Sequence, residues 1–260
     1  MCLIALAWCA HPDYELIVAA NRDEFHDRPA APAAFWNDAP GVFGGRDLRQ
    51  GGGWLALHES GRLAAVTNVR RMVPPDPRAP SRGALVAKFL SSNKTAESYS
   101  RVLNASAADY AGFNLLLFDG HHLSYCTNSE SFQSQSIEPG VHVLSNASLN
   151  TPWPKALRLR RALQAFINQR VASRKLLFTA LGDCEQASDA ELPDTGVGLE
   201  LERFLSPPFI RGDRYGTRAS TVVTIAHDGR AEFIERCFAA NGAFESESRA
   251  CLQLPPRRLH

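Results

Sequence analysis

The sequence predicts an α+β fold in which antiparallel sheets are covered by helices. Three observations lead there. Apolar runs of strand length come in pairs across short polar turns. Helical spacing appears in separate groups. The order is strands, helices, strands, helices, strands, without the strand-by-helix alternation of a parallel βαβ sheet.

Residues 3–8 and 15–20 are apolar and flank His11-Pro12-Asp13, a turn signal, so they form a first hairpin. Residues 41–45 and 54–58 flank Gly51-Gly52-Gly53, and residues 62–69 turn back on 54–58 after Glu59-Ser60-Gly61. The spacing of Leu85, Val86, Phe89 and Leu90 predicts a helix over 81–90 with Ser81 as its N-cap, and a second helix covers 95–103. Strands resume at 113–118, 123–126 and 142–144. Pro152-Trp153-Pro154 opens the longest helical pattern, carrying Leu157, Leu159, Leu163, Phe166 and Ile167, and another helix spans 174–181. The polar stretch 185–198 is a loop. Residues 221–226 and 232–238 make a closing hairpin around His227-Asp228-Gly229. No linker divides the chain, so residues 1–244 are one domain and 245–260 a polar, partly disordered tail.

Composition excludes several classes. The chain has 260 residues, 45% hydrophobic and 21% charged, which is ordinary for a globular protein. A net charge of +1 gives no general pull towards nucleic acid or anionic lipid, and no nucleic-acid partner is expected. No apolar run approaches the roughly 20 residues of a membrane helix. The apolar start lacks the preceding Lys or Arg of a secretory signal, and the bulky Trp8 stands before Cys9 where a lipoprotein signal has a small residue. The expectation is a cytoplasmic protein. The six cysteines include no Cys-x-x-Cys pair, against zinc-finger and thioredoxin readings and in favour of a reducing compartment. The glycines at 44–45 and 51–53 are not followed by Gly-Lys-Ser/Thr and read as turn and bulge residues. His121 and His122 are adjacent on a strand and face opposite ways, with no carboxylate cluster nearby. No metal and no cofactor is expected, and the oligomeric state is left open.

The residue with the most chemistry is Cys2. Methionine aminopeptidase removes Met1 when residue 2 is small. Processing then puts a thiol and a free α-amine on one residue. The ordinary pKa of that amine is about 7.7–8.0, so it can serve as a base near neutral pH. A thiolate is the reactive form of cysteine, so one terminal residue can supply both nucleophile and base. A structural reading stands beside this one: the segment after Met1 is apolar, and free cysteine is among the most buried residue types. The polar run Asn21-Arg22-Asp23-Glu24 ends the second apolar strand, and a hairpin brings it back to Cys2. Asp23 is then in reach of the Cys2 amine and thiol.

Six motifs occur in order: Met1-Cys2, Asn21-Arg22-Asp23-Glu24, Gly44-Gly45-Arg46-Asp47, Gly52-Gly53-Trp54-Leu55, Val66-Thr67-Asn68-Val69 and Tyr215-Gly216-Thr217-Arg218. With them the chain closely resembles the NRDE family, also called the transport-and-Golgi-organisation family, from Met1 to about Phe238. That family has been linked to secretory-pathway organisation, lipid metabolism and haem handling. More distantly the spacing is similar to N-terminal-cysteine Ntn hydrolases, the penicillin V acylase and bile salt hydrolase group, which cut amide bonds. This second resemblance implies a four-layer αββα sandwich of antiparallel sheets. It implies Cys2 as nucleophile, Asp23 holding its amine and thiol, Asn68 as oxyanion-hole donor, Asn146 as second site asparagine and Arg218 as the cation beside the thiolate. Each also has a structural reading, since Asn terminates strands and Arg218 can be an ion-pair partner. Asn21, Arg22 and Trp54 complete the expected site as binding residues.

One position departs from that group. An arginine normally lies three residues before the aspartate, where this chain has Ala20. Arg22 and Asp23 are neighbours on a strand and point to opposite faces. The function implied is a cysteine amidohydrolase acting on a small amide or acyl substrate. The alternative is a non-catalytic haem or lipid binding and trafficking protein on the same fold, and Ala20 favours that alternative. A glutamine amidotransferase also begins Met-Cys, but Leu3 stands where it has Gly, and its His-Arg-Gly turn is absent.

Overall fold

The computed structural model describes residues 2–71, 76–169 and 173–255. The first hairpin sets the plan. β1 (Cys2–Trp8) and β2 (Tyr14–Phe25) pair antiparallel, with Cys2 opposite Arg22 and Trp8 opposite Leu16. Both faces of this pair are covered, which is why its apolar run is nearly continuous.

The strands between the hairpin and the carboxyl end are β3 (Ala30–Trp36), β4 (Ala39–Asp47), β5 (Leu55–His58), β6 (Leu63–Asn68), β7 (Phe113–Phe118), β8 (Leu123–Thr127), β9 (Gln133–Ser136), β10 (Gly140–Leu144), β11 (Tyr215–Ala226), β12 (Arg230–Phe238) and β13 (Phe244–Gln253). One sheet has the order β10-β1-β2-β11-β12-β13 and the other runs β3 to β9 in sequence order. Every strand pair is antiparallel. The helices are α1 (Gly83–Leu90), α2 (Ala96–Asn104), α3 (Pro154–Ile167), α4 (Arg174–Leu181) and α5 (Leu199–Leu205).

Three apolar layers show how these elements stack. Ile4, Leu6 and Trp8 of β1 meet Leu57, Leu116 and Phe118 of the second sheet in a core between the sheets. The outer face of the second sheet packs Val66, Leu115 and Leu117 against Leu85, Phe89 and Leu103 of α1 and α2. The outer face of the first sheet packs Leu3, Ala5 and Val222 against Leu159, Phe166 and Leu177 of α3 and α4. Each fully buried Leu or Phe contributes roughly 1.5–3 kcal/mol. The result is the four-layer αββα sandwich of antiparallel sheets.

Two boundaries differ from expectation, each for a physical reason. β2 runs on through Asn21–Asp23 to Phe25 because these polar residues pair with 215–220 of β11. Residues 245–253 are edge strand β13 on β12, not a tail. Their period-two pattern is carried by small inward residues such as Ser246, Ser248 and Ala250 between charged ones, so no apolar stripe announces it.

Glu235 bridges the two sheets. It lies fully buried on β12, accepting the backbone N–H of Ala33 at 2.8 Å and the Thr221 hydroxyl at 3.1 Å. Burial pushes its carboxyl up to about 7 from 4.5. The folded chain therefore keeps a proton there that the unfolded chain gives up near pH 4.5. Stability from this group is lost as pH rises from about 4.5 to about 7, and the full difference is about 3 kcal/mol. Glu235→Gln should remove that part of the slope. Urea unfolding at pH 5 and pH 8 should show the variant gaining on the parent at the higher pH. An equal difference at both would contradict this.

Candidate active site

The site forms at one end of the sandwich, where β1 starts and β2, β4 and β6 end. A cavity of about 240 Å³ opens there, lined by Cys2, Arg22, Asp23, Trp54, Asn68 and Arg82 among others. A larger groove of about 800 Å³ adjoins it and shares Asn68, Asp76 and Arg82 as lining.

Register explains the placing of Cys2 and Arg22. Directly opposed residues on antiparallel strands put their side chains on the same face. Cys2 and Arg22 therefore share the inter-sheet face, at the mouth of the core. Arg22 is buried, with its guanidinium 4.5 Å from the centre of the Trp54 ring and Nη2 3.7 Å from Glu24 Oε2. Its Nη1 and the indole Nε1 of Trp54 are buried without hydrogen-bond partners among the described residues. Trp54 is seated by a glycine: a Cβ at Gly45 would lie 2.0 Å from the indole ring, so only glycine lets the ring rest on β4. Ala20 sits opposite Ile4 in the inter-sheet core. Arg22 presents its cation on the same face, at the open end.

Asp23 occupies the other face. Its Oδ1 accepts the Thr217 hydroxyl at 2.7 Å, across the β2–β11 pair. Burial pushes its carboxyl up, opposed by the charge of Lys155 and by the Thr217 hydrogen bond. The Cys2 thiol is likewise raised, by burial first and then by the charges of Asp23 and Glu24, with Arg22 opposing. The thiol therefore stands protonated and needs a base.

Asn68 ends β6, half-buried, and is among the residues lining the cavity. The segment after β10 ties it to Cys2. Asn146 donates from Nδ2 to the Asn68 carbonyl at 2.8 Å, Ser145 donates from Oγ to the Cys2 carbonyl at 3.1 Å, and Thr67 donates from Oγ1 to the Ser145 carbonyl at 2.6 Å. Asn146 is buried and braces Asn68 from behind without lining the cavity.

Two expected residues lie elsewhere. Asn21 donates to the carbonyls of Leu181 and Pro208, both at 2.8 Å, and accepts from Ser220, so it ties β2 to the helix layer. Arg218 falls in the irregular step of register between Thr217 and Ala219 and turns away. Its Nη1 donates to the carbonyls of Phe25, His26 and Arg28, and Nε donates to that of Phe238. It holds the loop after β2 and does not line the cavity.

Two residues near Cys2 went unanticipated. Arg82, just before α1, lines both cavity and groove, donates to the Gly112 carbonyl at 3.2 Å and makes no carboxylate ion pair among the described residues. Lys155, in the first turn of α3, is buried in the helix layer, near enough for the charges of Asp23 and Cys2 to act on it. The signal for Lys155 was its place: a lysine in a first helical turn opposes the helix dipole.

No group of three or more metal-ligating side chains occurs among the described residues. Nor is any described helix long and apolar enough to cross a membrane.

Among solved structures, the chain is similar to a Caenorhabditis elegans N-acylethanolamine-hydrolyzing acid amidase orthologue, with a TM-score of 0.50, 9% identity, 85% of this chain and 91% of that one covered. It is similar also to a variant of the conjugated bile acid hydrolase of Clostridium perfringens, with a TM-score of 0.53, 8% identity, 97% of this chain and 92% of that one covered. At such identities the likeness is one of fold, the Ntn-hydrolase sandwich. In sequence it is 35% identical to the Bos taurus Transport and Golgi organization protein 2 homolog, across 91% of this chain and 92% of that protein. The family profile described as Transport and Golgi organisation 2 matches residues 1–240, and with that span and that relative the chain belongs to the Transport and Golgi organisation 2 family.

Proposed function

We propose that this chain is an N-terminal-cysteine amidohydrolase for a small amide or acyl compound, with Cys2 as nucleophile once Met1 is removed. The observation that carries the reading is the meeting of Cys2, Asp23 and Asn68, from three strands of two sheets, on one open cavity. The fold neighbours, an N-acylethanolamine-hydrolyzing acid amidase orthologue and a conjugated bile acid hydrolase, are named for substrates that are amides.

The chemistry follows from the geometry. The α-amine of Cys2 takes the thiol proton as Sγ attacks the substrate carbonyl carbon. Asp23 orients the resulting ammonium. The oxygen of the tetrahedral intermediate takes its negative charge against the Asn68 amide, and one such donor is worth roughly 3–4 kcal/mol. The C–N bond breaks, the leaving amine takes the proton back from the ammonium, and a thioester remains on Cys2. Water, deprotonated by the same amine, then releases the acid and restores the thiol. Arg22, opposite Cys2, favours the thiolate during attack. Arg218 is too engaged with backbone carbonyls for that task.

The carrier reading ranks second. Arg22, Arg28, Arg82, Glu24 and Asp47 leave the cavity little apolar wall for a haem or an acyl chain.

The test is intact-protein mass measurement with and without a mild thiol alkylator, followed by peptide mapping. Loss of Met1 and faster labelling of Cys2 than of the other cysteines is the expected result. Met1 retained, or Cys2 no more reactive than exposed Cys9 and Cys251, would move the assignment to the carrier.

A further inference from the structure

Lys155 lies where neither helix nor solvent favours a cation. It follows Pro154 in the first turn of α3, a turn without an acidic residue. It is 2% exposed, and its Nζ has no hydrogen-bond partner among the described residues. A buried ammonium without partners costs several kcal/mol unless a charge answers it.

The packing of α3 decides what answers it. Ala156 and Leu159 seat the helix on Leu3 and Ala5 of β1 and Val143 of β10. Lys155 thus stands behind the end of the hairpin that carries Cys2 and Asp23. The space beside it, lined by Arg70, Trp153 and Glu202, is about 10 Å³, room for one water at most. The titratable groups facing Lys155 are Asp23, Arg70, Cys2 and Glu202. Glu202 is engaged already, with Arg70 at 2.8 Å and the Thr195 backbone N–H at 3.0 Å. Asp23 is therefore the carboxylate that Lys155 answers. Around Cys2 the charged and titratable groups are Asp23, Arg22 and Glu24 of β2, Arg82 beside α1 and Tyr215 of β11.

We propose that Lys155 is a positioning residue for the amino-terminal base, acting through Asp23 to keep the Cys2 α-amine from holding its proton at neutral pH. The inference rests on the reading of Cys2 as a processed nucleophile. Asp23 alone, in a water-poor setting, would bind the ammonium form tightly and leave no base. A fixed cation behind Asp23 cancels most of its field without taking it out of reach of the amine. Burial presses Lys155 itself down to about 8, so it still carries its charge over most of the neutral range.

The experiment is an NMR titration of the Cys2 α-amine in ¹⁵N-cysteine-labelled, Met1-free protein, for the parent, Lys155→Met and Lys155→Arg. The parent amine is expected to titrate below its ordinary range of about 7.7–8.0. Lys155→Met should move it up by about one unit and slow Cys2 alkylation at pH 7 about tenfold, while Lys155→Arg stays near the parent. An unchanged midpoint in folded Lys155→Met overturns the proposal. If that variant does not fold, a parent midpoint above the ordinary range overturns it, and a low midpoint kept in Lys155→Arg upholds it. Retention of Met1 would remove this inference and the amidohydrolase reading together. Loss of Met1, with selective Cys2 labelling but an amine indifferent to Lys155, would remove this inference alone.

Discussion

Cys2→Ala is expected to abolish thiol-dependent amide hydrolysis, lowering kcat by roughly 10⁴-fold or more, because the bond-forming atom is gone and no other thiol reaches the cavity. Cys126 is buried under α2, with its Sγ 3.0 Å from the Ser100 hydroxyl, and Cys237 lies on β12 near Glu235. Neither is among the residues that line the cavity with Cys2. The substitution should leave stability almost unchanged, since Cys2 is half-buried at the start of a strand and its backbone bond to Ser145 does not depend on its side chain. The check is turnover of whichever amide the parent hydrolyses, measured beside a thermal melt. Full activity in a folded Cys2→Ala protein would end the nucleophile assignment.

Gly52→Ala is expected to produce the largest loss of stability among single-methyl changes near the site. A Cβ at Gly52 would stand 2.4 Å from the carbonyl carbon of Gly83 and 2.7 Å from its Cα. The obstacle is main chain on both sides, so relief requires the loop before β5 and the first turn of α1 to separate. Forced overpacking costs about 1–3 kcal/mol and occasionally more. With no side chain to rotate, a value of about 3 kcal/mol and a fall of roughly 6–12 °C in Tm are expected. Gly51→Ala makes the comparison. Its nearest neighbour is 3.9 Å away, so it pays only for a positive φ of 71°, about 1–2 kcal/mol. If the two variants melt together, contact with Gly83 is not what requires glycine at 52. Because Gly83 adjoins Arg82, the same displacement should also disturb the cavity wall.

The fold was legible where burial leaves a one-sided or two-sided apolar pattern. β1, β7 and the helices α1 to α4 were anticipated because Leu, Phe and Val recur at strand or helix spacing. β3, β9 and β13 were not: β3 buries only Ala33 and Trp36, β9 is exposed throughout, β13 turns mainly small residues inward, and all three are edge strands held by backbone pairing. α5 was missed because its short run Leu199–Leu205 buries Glu202 beside Leu205, a charge answered only by the distant Arg70. The ordered motifs made the family legible, and the chain belongs to it, under its Transport and Golgi organisation 2 name. What spacing could not give was side-chain direction. Arg218 reads as a site cation until the shift of register after Thr217 turns it to the β2 loop. Arg82 and Lys155 carry no motif of their own, and only the packing of α1 and α3 brings them to Cys2.

The hydrogen bonds of Ser145 and Asn146 have a wider meaning. This one short segment grips the first residue of a strand in one sheet and the last residue of a strand in the other. The distance from Cys2 to Asn68 is thus a dimension of the sandwich itself, the gap between its sheets measured at one corner. Anything that swells or slips the inter-sheet core, from a cavity at Leu57 to deprotonation of Glu235, changes that dimension before it unfolds the protein. Loss of reactivity at Cys2 should then precede loss of secondary structure on heating, with the strands still intact while this corner is already out of register.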